Sequence, residues 1–352
     1  MARLPIDPDA GSVLVIKLSA LGDMVQAMAP MAAIRAYHKR ARITVLTTPA
    51  YAPLLEMCPY VDEIDTGGRP RALGAWFELV GRLRSARFEA VYDLQNNGRT
   101  ANLFRAHWPA QPPWNGVCLG ASHRFMDLSW RSMHTLDRHA AILRVAGIGP
   151  AEGYPPGGAP GPDLSFILDR HPQPDALQPA HFGIQGPFAL LVPGSSAHRL
   201  DKRWPAENFA ALAVRLADAG VTPVVTGSAA ERPLAEAIVA AEPRTIDTTG
   251  RSDIFQVAGL AAHAHVAVGN DTGPMHIAAA AGAGCVVLFS KASNPAQCAP
   301  RGRGVVCVRS DELKDVPVAD VERAIDTLWH LGPAREDGVD VLPALSRPLT
   351  GG

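Results

Sequence analysis

The sequence predicts an α/β protein made of two Rossmann-like domains, each with a parallel sheet. Short apolar runs alternate with stretches of helical periodicity on both sides of the chain's midpoint, which is the pattern of βαβ units. The 352 residues exceed the usual length of one domain. A stretch dense in proline and glycine interrupts the alternation near the middle, and neither residue propagates a helix or a central strand. These observations together indicate two sheets joined by a linker.

The first domain is assigned to residues 1–155 and the linker to 156–187; the second domain is assigned to 188–332 and a tail to 333–352. Strands are predicted at Val13–Leu18, Ile43–Leu46, Ala90–Leu94, Phe188–Val192, Val221–Thr226, Val266–Val268 and Val286–Phe289. Helices are predicted at Met24–Tyr37, Ala50–Met57, Glu207–Ala219, Glu231–Ala241 and Met275–Ala281.

Composition excludes several classes of protein. Hydrophobic residues make up 47% and charged residues 19%, which supports buried cores and argues against disorder. The net charge of −1 argues against a bulk nucleic-acid binder. The stretch 277–289 is too short and too weakly apolar to span a bilayer, and the first residues contain no apolar signal-peptide core. Five cysteines without a CxxC pair fit reduced thiols, so we expect a cytoplasmic location.

The charge is unevenly distributed along the chain. Residues 1–150 contain 17 Lys and Arg against 12 Asp and Glu, whereas the remainder contains 16 against 22. A basic first half is consistent with an anionic partner there, although a solvated surface gives the same count.

The loops that follow predicted strands are the candidate functional sites, because ligands of parallel α/β sheets bind beyond the carboxyl ends of the strands. In the first such loop Asp23 either caps a helix or acts as a general base that takes a proton from an attacking hydroxyl. The loop Pro193–Ser196 followed by Lys202 can cradle a phosphate, or it is an ordinary solvated loop.

The segment Gly269–Ala280 is the most specific of these loops. A strand, a Thr-Gly turn and a helix N-terminus create an anion site, because free N–H groups and the helix dipole favour negative charge. His276 falls in the first helical turn, where a structural hydrogen bond is the simpler role. Glu231 either accepts hydrogen bonds from two ribose hydroxyls or is a favourable acid in a first turn. His263 and His265 lack a nearby third ligand and are taken as structural.

Four motifs in this order resemble glycosyltransferase family 9, the ADP-heptose:lipopolysaccharide heptosyltransferases. The matching segments are Lys17–Asp23, Met133–Arg138, Pro193–Ser196 with Lys202–Pro205, and Asp271–His276. The resemblance runs from about residue 12 to residue 330. It implies a GT-B fold, in which two Rossmann-like domains face a central cleft with the acceptor on the first and the nucleotide sugar on the second. It also implies inverting, metal-independent transfer of heptose from ADP-L-glycero-D-manno-heptose to the lipopolysaccharide inner core, without a cofactor.

The resemblance also implies roles for individual residues. Asp23 would be the general base, and His276 would lie near the donor. The donor site would comprise residues for the diphosphate (Ser195, Ser196 and Lys202), for the wall of the phosphate site (Asp271, Thr272 and Gly273) and for the ribose (Glu231).

The expected acceptor is a lipid A–Kdo molecule, whose carboxylates and phosphates suit Arg and Lys. We assign Arg99, Arg131 and His134 to it, with Arg124 as a further candidate. A lipid acceptor also implies peripheral contact with the inner face of the inner membrane, and no nucleic-acid partner is expected.

Three alternatives remain open at this point. Ser290–Lys291 and the long spacing from Pro193 to Lys202 depart from the family pattern, so another nucleotide sugar could be transferred to a cell-envelope glycan. A nucleotide-sugar 2-epimerase uses the same architecture and needs no acceptor. A non-catalytic nucleotide-sugar-binding scaffold is the third alternative. An NAD-type oxidoreductase is disfavoured, since no G-x-G-x-x-G follows the first strand.

Overall fold

The computed structural model describes residues 4–195 and 199–335. The chain divides into two compact units, Met1–Gly161 (unit 1) and Pro162–Gly352 (unit 2). The boundary lies within the stretch assigned to the linker from sequence. The second part of that stretch belongs to unit 2, where Leu164 and Leu177 are buried and the Leu164 N–H donates to the carbonyl of Ala280.

Unit 1 contains a six-stranded parallel sheet with strand order β3-β2-β1-β4-β5-β6. Its strands are β1 (Ser12–Ile16), β2 (Arg42–Leu46), β3 (Glu63–Asp65), β4 (Ala90–Asp93), β5 (Trp114–Gly116) and β6 (His123–Arg124). Its helices are α1 (Leu21–Tyr37), α2 (Ala52–Met57), α3 (Leu73–Ser85), α4 (Gly98–Ala106) and α5 (Thr135–Arg144). Helices α3 and α4 pack on the face of the sheet that Leu14 and Ile16 of β1 present, whereas α1 contacts α5.

Unit 2 repeats this plan, with strand order β12-β11-β10-β7-β8-β9 and parallel pairing throughout. Its strands are β7 (Phe188–Val192), β8 (Thr222–Val225), β9 (Ile246–Asp247), β10 (Val266–Asn270), β11 (Gly284–Phe289) and β12 (Gly304–Arg309). Its helices are α6 (Phe166–Arg170), α7 (Ala206–Asp218), α8 (Arg232–Ala241), α9 (Ile254–His263), α10 (Gly273–Ala280), α11 (Pro295–Cys298) and α12 (Val318–Trp329).

The cores form because apolar side chains repeat at the period of each element. In α7 the buried side chains Phe209, Leu212, Ala213 and Leu216 recur at spacings of three and four, so one face of the helix meets the sheet. Strand β10 lies against β7 and the start of α10 because Gly269 lacks a side chain: a Cβ there would come within 2.7 Å of the Val192 Cβ. The parallel α/β fold with two Rossmann-like sheets is therefore confirmed.

Each sheet has one switch point, a position at which the direction of strand addition reverses. In unit 1, β2 and β3 are added on one side of β1, and β4 is then added on the other side of β1. In unit 2, β8 and β9 are added on one side of β7, and β10 is added on the other side. Helices on either side of such a position diverge, which leaves a crevice at the carboxyl ends of the two strands. The loops after β1 and β4, and after β7 and β10, are therefore where each unit is suited to bind a ligand.

Within the described residues, no helix is long and apolar enough to cross a membrane.

Candidate functional site

Asp23 lies at the switch point of unit 1, in the first turn of α1. The helix begins at Leu21 and its N-cap residue is Ala20, so the sequence-based hypothesis that Asp23 itself is the cap is wrong. The Asp23 Oδ2 instead accepts a hydrogen bond from the Ala20 N–H at 3.2 Å, reaching back from the third helical position. The side chain is half-buried, and Oδ1 has no hydrogen-bond partner among the described residues. One carboxylate oxygen thus orients the group while the other remains available to a ligand.

The loop that carries Asp23 is fixed by the neighbouring loop after β4. The Gln95 Oε1 accepts from the N–H groups of Leu18 at 2.8 Å and Ser19 at 3.3 Å. The Asp93 Oδ1 in turn accepts from the N–H groups of Gln95 at 3.0 Å and Asn96 at 2.7 Å. The two bonds to Gln95 join residues 77 and 76 positions apart in sequence, and the bonds to Asp93 fix the loop that carries Gln95, so both loops of the switch point are held in one arrangement.

Two cations lie within electrostatic range of Asp23. Lys17 is buried, and its Nζ donates to the carbonyl of Leu94 at 3.4 Å. Burial lowers the pKa of Lys17, against the opposing effect of the carboxylates of Asp23 and Asp93. Burial likewise lowers the pKa of Arg138, and Asp23 opposes it. The carboxylate of Asp23 is thus surrounded by positive charge from its own unit.

Two further titratable groups are buried beneath this edge. Burial raises the pKa of Asp93 to about 6, although its hydrogen bonds oppose the shift. Burial lowers the pKa of His139 well below its usual value, and the charges of Lys17 and Arg138 act in the same direction. Neither ring nitrogen of His139 has a hydrogen-bond partner in the described part of the chain. Unit 1 therefore buries a hydrogen-bonded carboxyl with a raised pKa and, within the described residues, an imidazole without a hydrogen-bond partner.

The switch point of unit 2 has a different character, because its charges are paired. The Lys202 Nζ donates to the Asp271 Oδ2 at 2.6 Å, and the two side chains are only 16% and 8% exposed. Lys202 comes from the loop after β7 and Asp271 follows β10 directly. The pair joins the two loops of the switch point, so Asp271 fixes the direction in which Lys202 presents its charge.

Asn270 fixes the backbone around this pair. This fully buried side chain donates from Nδ2 to the carbonyls of Pro193 at 2.8 Å and Gly194 at 3.2 Å. Its Oδ1 accepts from the Trp204 N–H at 2.9 Å. One amide thus holds the end of β7 and the start of α7 against β10.

Ser195 is held by the cationic segment that follows it. Its hydroxyl donates to the carbonyl of Arg199 at 2.9 Å and accepts from the Arg203 Nε at 2.9 Å. The Arg203 Nη2 also donates to the Ser195 carbonyl at 3.1 Å. Ser196, which was assigned to the diphosphate from sequence, lies outside the described residues.

The start of α10 provides the expected helix N-terminus. Thr272 is the N-cap residue and Gly273 begins the helix. The Thr272 Oγ1 is buried and has no hydrogen-bond partner within residues 4–195 and 199–335. His276 is buried in the first turn. A hydroxyl without an acceptor, a helix N-terminus and Lys202 are together suited to an anion.

Glu231 packs over the end of β7. Its Oε2 accepts from the Ser228 N–H at 2.7 Å and from the Ser228 hydroxyl at 2.9 Å. Its Oε1 lies so close to Gly194 that a Cβ at that position would be 1.6 Å away. Glu231 therefore occupies the same edge as Lys202 and Asp271, and it depends on a residue without a side chain at position 194.

One of the residues assigned to an acceptor lies in a basic groove of unit 1. Arg99, in the first turn of α4, lines a groove of about 630 Å³ in unit 1 together with Arg69, Arg71 and Arg82. Arg82 donates to both oxygens of Asp65, whereas Arg71 and Arg99 make no ion pair among the residues described. Arg69 donates to the Ser19 hydroxyl, which connects this basic groove to the loop that carries Asp23.

The other assigned residues have structural contacts. The Arg131 guanidinium lies 5.3 Å from the centre of the Trp130 ring. His134 is buried, and its Nδ1 accepts from the Leu136 N–H at 3.2 Å at the start of α5. The Arg124 Nε donates to the Val117 carbonyl at 3.2 Å.

Four residues that shape these two edges lie inside the quoted motifs but were given no role of their own from sequence: Lys17, Arg138, Arg203 and Asn270. Arg69 and Gln95 were not identified from sequence. Lys17 and Asn270 are polar side chains at the ends of buried strands, which is a signal that could have identified them. Gln95 and Arg69 act across large sequence distances, and no local pattern marks their partners.

Two Rossmann-like units with polar loops at their switch points are the architecture of the GT-B fold. A model of glycosyltransferase family 9 (heptosyltransferase) matches residues 76–325. The chain belongs to glycosyltransferase family 9 and is a glycosyltransferase.

Individual relatives agree with this assignment. Lipopolysaccharide heptosyltransferase 2 of Salmonella typhimurium is 27% identical over 296 residues, which cover 80% of this chain and 83% of the relative. The solved structure of the ADP-heptose LPS heptosyltransferase II of Escherichia coli has a TM-score of 0.73 at 22% identity and covers 91% of this chain and 99% of its own. A family 9 glycosyltransferase structure from Veillonella parvula has a TM-score of 0.78 at 19% identity, covering 94% and 100%. These structures share the fold.

Proposed function

We propose that this enzyme transfers heptose from ADP-heptose to the inner core of lipopolysaccharide. Family membership supports sugar transfer, and the relatives described above carry the names of lipopolysaccharide heptosyltransferases. The observation that carries the proposal is the Lys202–Asp271 pair beside the start of α10, because an oriented cation next to a helix N-terminus is suited to the charge of a departing diphosphate.

Unit 2 would bind the nucleotide sugar. As the bond between the anomeric carbon and the diphosphate breaks, negative charge develops on ADP, and donors aimed at that charge stabilise the transition state more than the ground state. Lys202 would supply the charge, while the Thr272 hydroxyl and the first turn of α10 would supply further donors. Glu231 would accept hydrogen bonds from the ribose through the oxygen that faces Gly194.

Asp23 would be the general base. The acceptor hydroxyl gives its proton to the Asp23 carboxylate while its oxygen forms a bond to the anomeric carbon. The electron pair of the bond that breaks leaves with ADP. A single displacement of this kind inverts the anomeric configuration. The Asp23 Oδ1, which accepts no hydrogen bond from the described residues, is the oxygen suited to receive the proton.

The transfer would proceed without a metal ion, with Lys202 compensating the charge of the diphosphate. Of the two carboxylates placed at this edge, Asp271 is engaged by Lys202 at 2.6 Å, so its role is to orient the lysine, and the Glu231 Oε2 accepts hydrogen bonds from Ser228.

The acceptor would bind to unit 1. Arg71 and Arg99 offer guanidinium groups that form no ion pair with the described residues, in the basic groove next to the Asp23 loop. Guanidinium groups bind carboxylates and phosphates through paired hydrogen bonds. A lipid A–Kdo acceptor carries both kinds of anion. The sequence assignment of Arg99 is therefore kept, and Arg71 is added to it.

Two measurements test the proposal. Calorimetry with ADP, GDP and UDP should show the tightest binding for ADP; tightest binding of UDP would reject ADP-heptose as the donor. Incubation with ADP-heptose and a lipid A–Kdo acceptor should yield an acceptor heavier by one heptose in mass spectrometry. A rearranged nucleotide sugar formed without acceptor would instead indicate a 2-epimerase, and binding without turnover would indicate a scaffold.

A further inference from the structure

The side chain of Gln95 connects the two loops of the unit 1 switch point. It extends from the loop after β4, and its Oε1 accepts from the N–H groups of Leu18 at 2.8 Å and Ser19 at 3.3 Å in the loop after β1. The next N–H group along that loop, from Ala20, donates to the Asp23 Oδ2 at 3.2 Å. Three consecutive N–H groups therefore bind the Gln95 amide and the Asp23 carboxylate to one short segment of backbone.

The partners of Gln95 determine the orientation of its amide. An N–H group donates to the oxygen of a carboxamide and not to its nitrogen, so Oε1 faces the two backbone donors and Nε2 keeps both of its hydrogens. Within residues 4–195 and 199–335, Nε2 makes no hydrogen bond, and the side chain is only half-buried. A neutral hydrogen-bond donor that a ligand can reach is thus attached to the segment that also holds Asp23.

The backbone that carries Gln95 is itself fixed. The Asp93 Oδ1 accepts from the N–H groups of Gln95 and Asn96, and the Asn96 Nδ2 donates to the Asp93 carbonyl at 2.5 Å. The Asn96 Oδ1 accepts from the Val117 N–H at 2.9 Å. A donor held in place before the ligand arrives loses little conformational freedom on binding, which favours affinity and specificity.

We propose that Gln95 binds the acceptor saccharide, its Nε2 donating to an oxygen next to the attacking hydroxyl. Ligands of parallel sheets bind in the crevice between the loops on either side of a switch point, so a ligand that contacts Asp23 also meets the loop after β4. An ionised carboxylate only accepts hydrogen bonds, so Asp23 takes the hydrogen of the attacking hydroxyl. A neighbouring hydroxyl or carboxylate oxygen of the same sugar then needs a donor, which Gln95 supplies.

The cations near this position already have partners in the protein. The Lys17 Nζ is buried and donates to the carbonyl of Leu94 at 3.4 Å, and Arg69 donates to the Ser19 hydroxyl. The inference rests on the proposed function, since it assigns Gln95 to the acceptor of that reaction. It adds a neutral donor beside the base, which selects the position of an oxygen atom in the sugar and not its charge.

Gln95→Glu separates the two roles of this amide, because a carboxylate still accepts from Leu18 and Ser19 but has no hydrogen to donate. In heptose transfer from ADP-heptose to a lipid A–Kdo acceptor, we expect the acceptor KM to rise about tenfold and kcat to stay within about twofold. Gln95→Met has a similar length and loses both roles. It should also lower kcat by about tenfold or more, because the loop that carries Asp23 loses two hydrogen bonds.

Asn97→Asp is the matched control for the added negative charge. Asn97 is exposed two residues further along the same loop, and its Oδ1 accepts from the N–H groups of Arg99 at 3.0 Å and Thr100 at 3.2 Å at the start of α4. An aspartate keeps these bonds, so the acceptor KM should stay within about twofold of the wild-type value. Thermal melting of each variant shows whether it is folded.

Two kinetic results would contradict the inference. An unchanged acceptor KM in Gln95→Glu, or an equal rise in Asn97→Asp, means that Nε2 does not contact the acceptor. A loss of kcat in Gln95→Glu as large as in Gln95→Met, without a change in the acceptor KM, leaves Gln95 as a positioning residue for the Asp23 loop.

A binding measurement separates this inference from the proposed function. The probe is free Kdo, and its dissociation constant is measured by ligand-observed NMR without ADP-heptose. If the wild type transfers no heptose but Gln95→Glu binds Kdo about tenfold more weakly than Asn97→Asp does, the proposed function is wrong and the inference holds. If the wild type transfers heptose but both variants bind Kdo equally, the inference is wrong and the proposed function holds. Absence of Kdo binding by the wild type also overturns the inference.

Discussion

The two switch points have the same topology and opposite electrostatic organisation. In unit 2 the cation Lys202 is paired with Asp271, and Asn270 satisfies the backbone around them. In unit 1 the buried Lys17 has one long hydrogen bond and His139 has no partner for either ring nitrogen within the described chain. A paired cation is oriented before the ligand arrives, which suits stabilisation of charge that develops in the reaction. In unit 1 the cations Lys17 and Arg138 lie within electrostatic range of Asp23 but form no ion pair with it among the described residues, which leaves one carboxylate oxygen to a ligand.

Removal of the Asp23 carboxylate is the largest expected effect. Asp23→Ala should lower turnover by roughly 10²–10⁴-fold if Asp23 is the base. Its structural contact is one hydrogen bond to the Ala20 N–H, so the loss of stability should be about 1 kcal/mol or less. Measurement of transfer rates together with thermal unfolding separates these contributions.

Asp23→Asn is the control for shape, because its Oδ1 can still accept from Ala20. Near-normal turnover in either variant would reduce Asp23 to a helix-terminal residue and remove the functional contrast between the two edges.

The ion pair of unit 2 gives the next largest effect. Lys202→Ala should lower turnover by roughly 10²–10³-fold and weaken ADP binding, since it removes the oriented cation. Asp271→Asn should cost less, because the lysine remains but loses its orientation. Calorimetry with ADP and steady-state rates check both values.

If both substitutions lower kcat equally and leave ADP binding unchanged, the Lys202–Asp271 pair has a structural role and does not bind the donor. Unchanged values for Lys202→Ala would remove it from the donor site altogether.

The buried carboxyl of unit 1 should be visible in stability as a function of pH. Burial raises the pKa of Asp93 to about 6, above its ordinary value of 3.8. The folded protein therefore binds this proton more tightly than the unfolded chain does. The resulting contribution to the free energy of unfolding is complete below pH 3.8 and is lost as the pH rises through 6, a total loss of about 3 kcal/mol. Asp93→Asn should thus gain stability relative to the wild type as the pH rises across this window.

Denaturation of both proteins at pH 4.5, 6 and 8 measures this difference. Subtracting the two curves removes the contribution of His139, whose lowered pKa favours unfolding in acid. Parallel curves would mean that Asp93 is ionised in the folded protein at all these values, as a satisfied pair would be.

Features that depend on a local sequence pattern could be predicted, whereas contacts between residues far apart in the sequence could not. Asp23 and Asp271 were identified because buried parallel strands are recognisable as apolar runs and ligands bind just beyond them. The pairing of Lys202 with Asp271 was not, since it joins positions 69 residues apart whose meeting depends on strand order.

The same limit applies to the elements themselves. Strands β3, β5, β6 and β9 have three residues or fewer, which is too short for a period of two to be recognised in the sequence. Helix α3 was not predicted, because Gly74 and Gly81 interrupt its helical periodicity. The apolar side chains that this helix exposes were therefore not predicted either.

The smallest expected effect concerns the contact between Glu231 and Gly194. A methyl group at position 194 would lie 1.6 Å from the Glu231 Oε1 and 2.2 Å from its carboxyl carbon, so the carboxylate must move away. We expect Gly194→Ala to raise the KM for the donor about tenfold with little change in kcat, because a lost hydrogen bond to a charged group is worth about 1.5 kcal/mol or more. Glu231→Ala should have the same effect. The double variant should be no worse than either single one, since both act on one contact.

Gly81→Ala, where nothing lies within 4 Å of the added Cβ, is the neutral control. Additive effects in the double variant would mean that Gly194 is needed for the backbone conformation of the loop after β7 and not for the position of Glu231. The arrangement of the unit 2 switch point would then depend on the Lys202–Asp271 pair and Asn270, without a contribution from the Gly194–Glu231 contact.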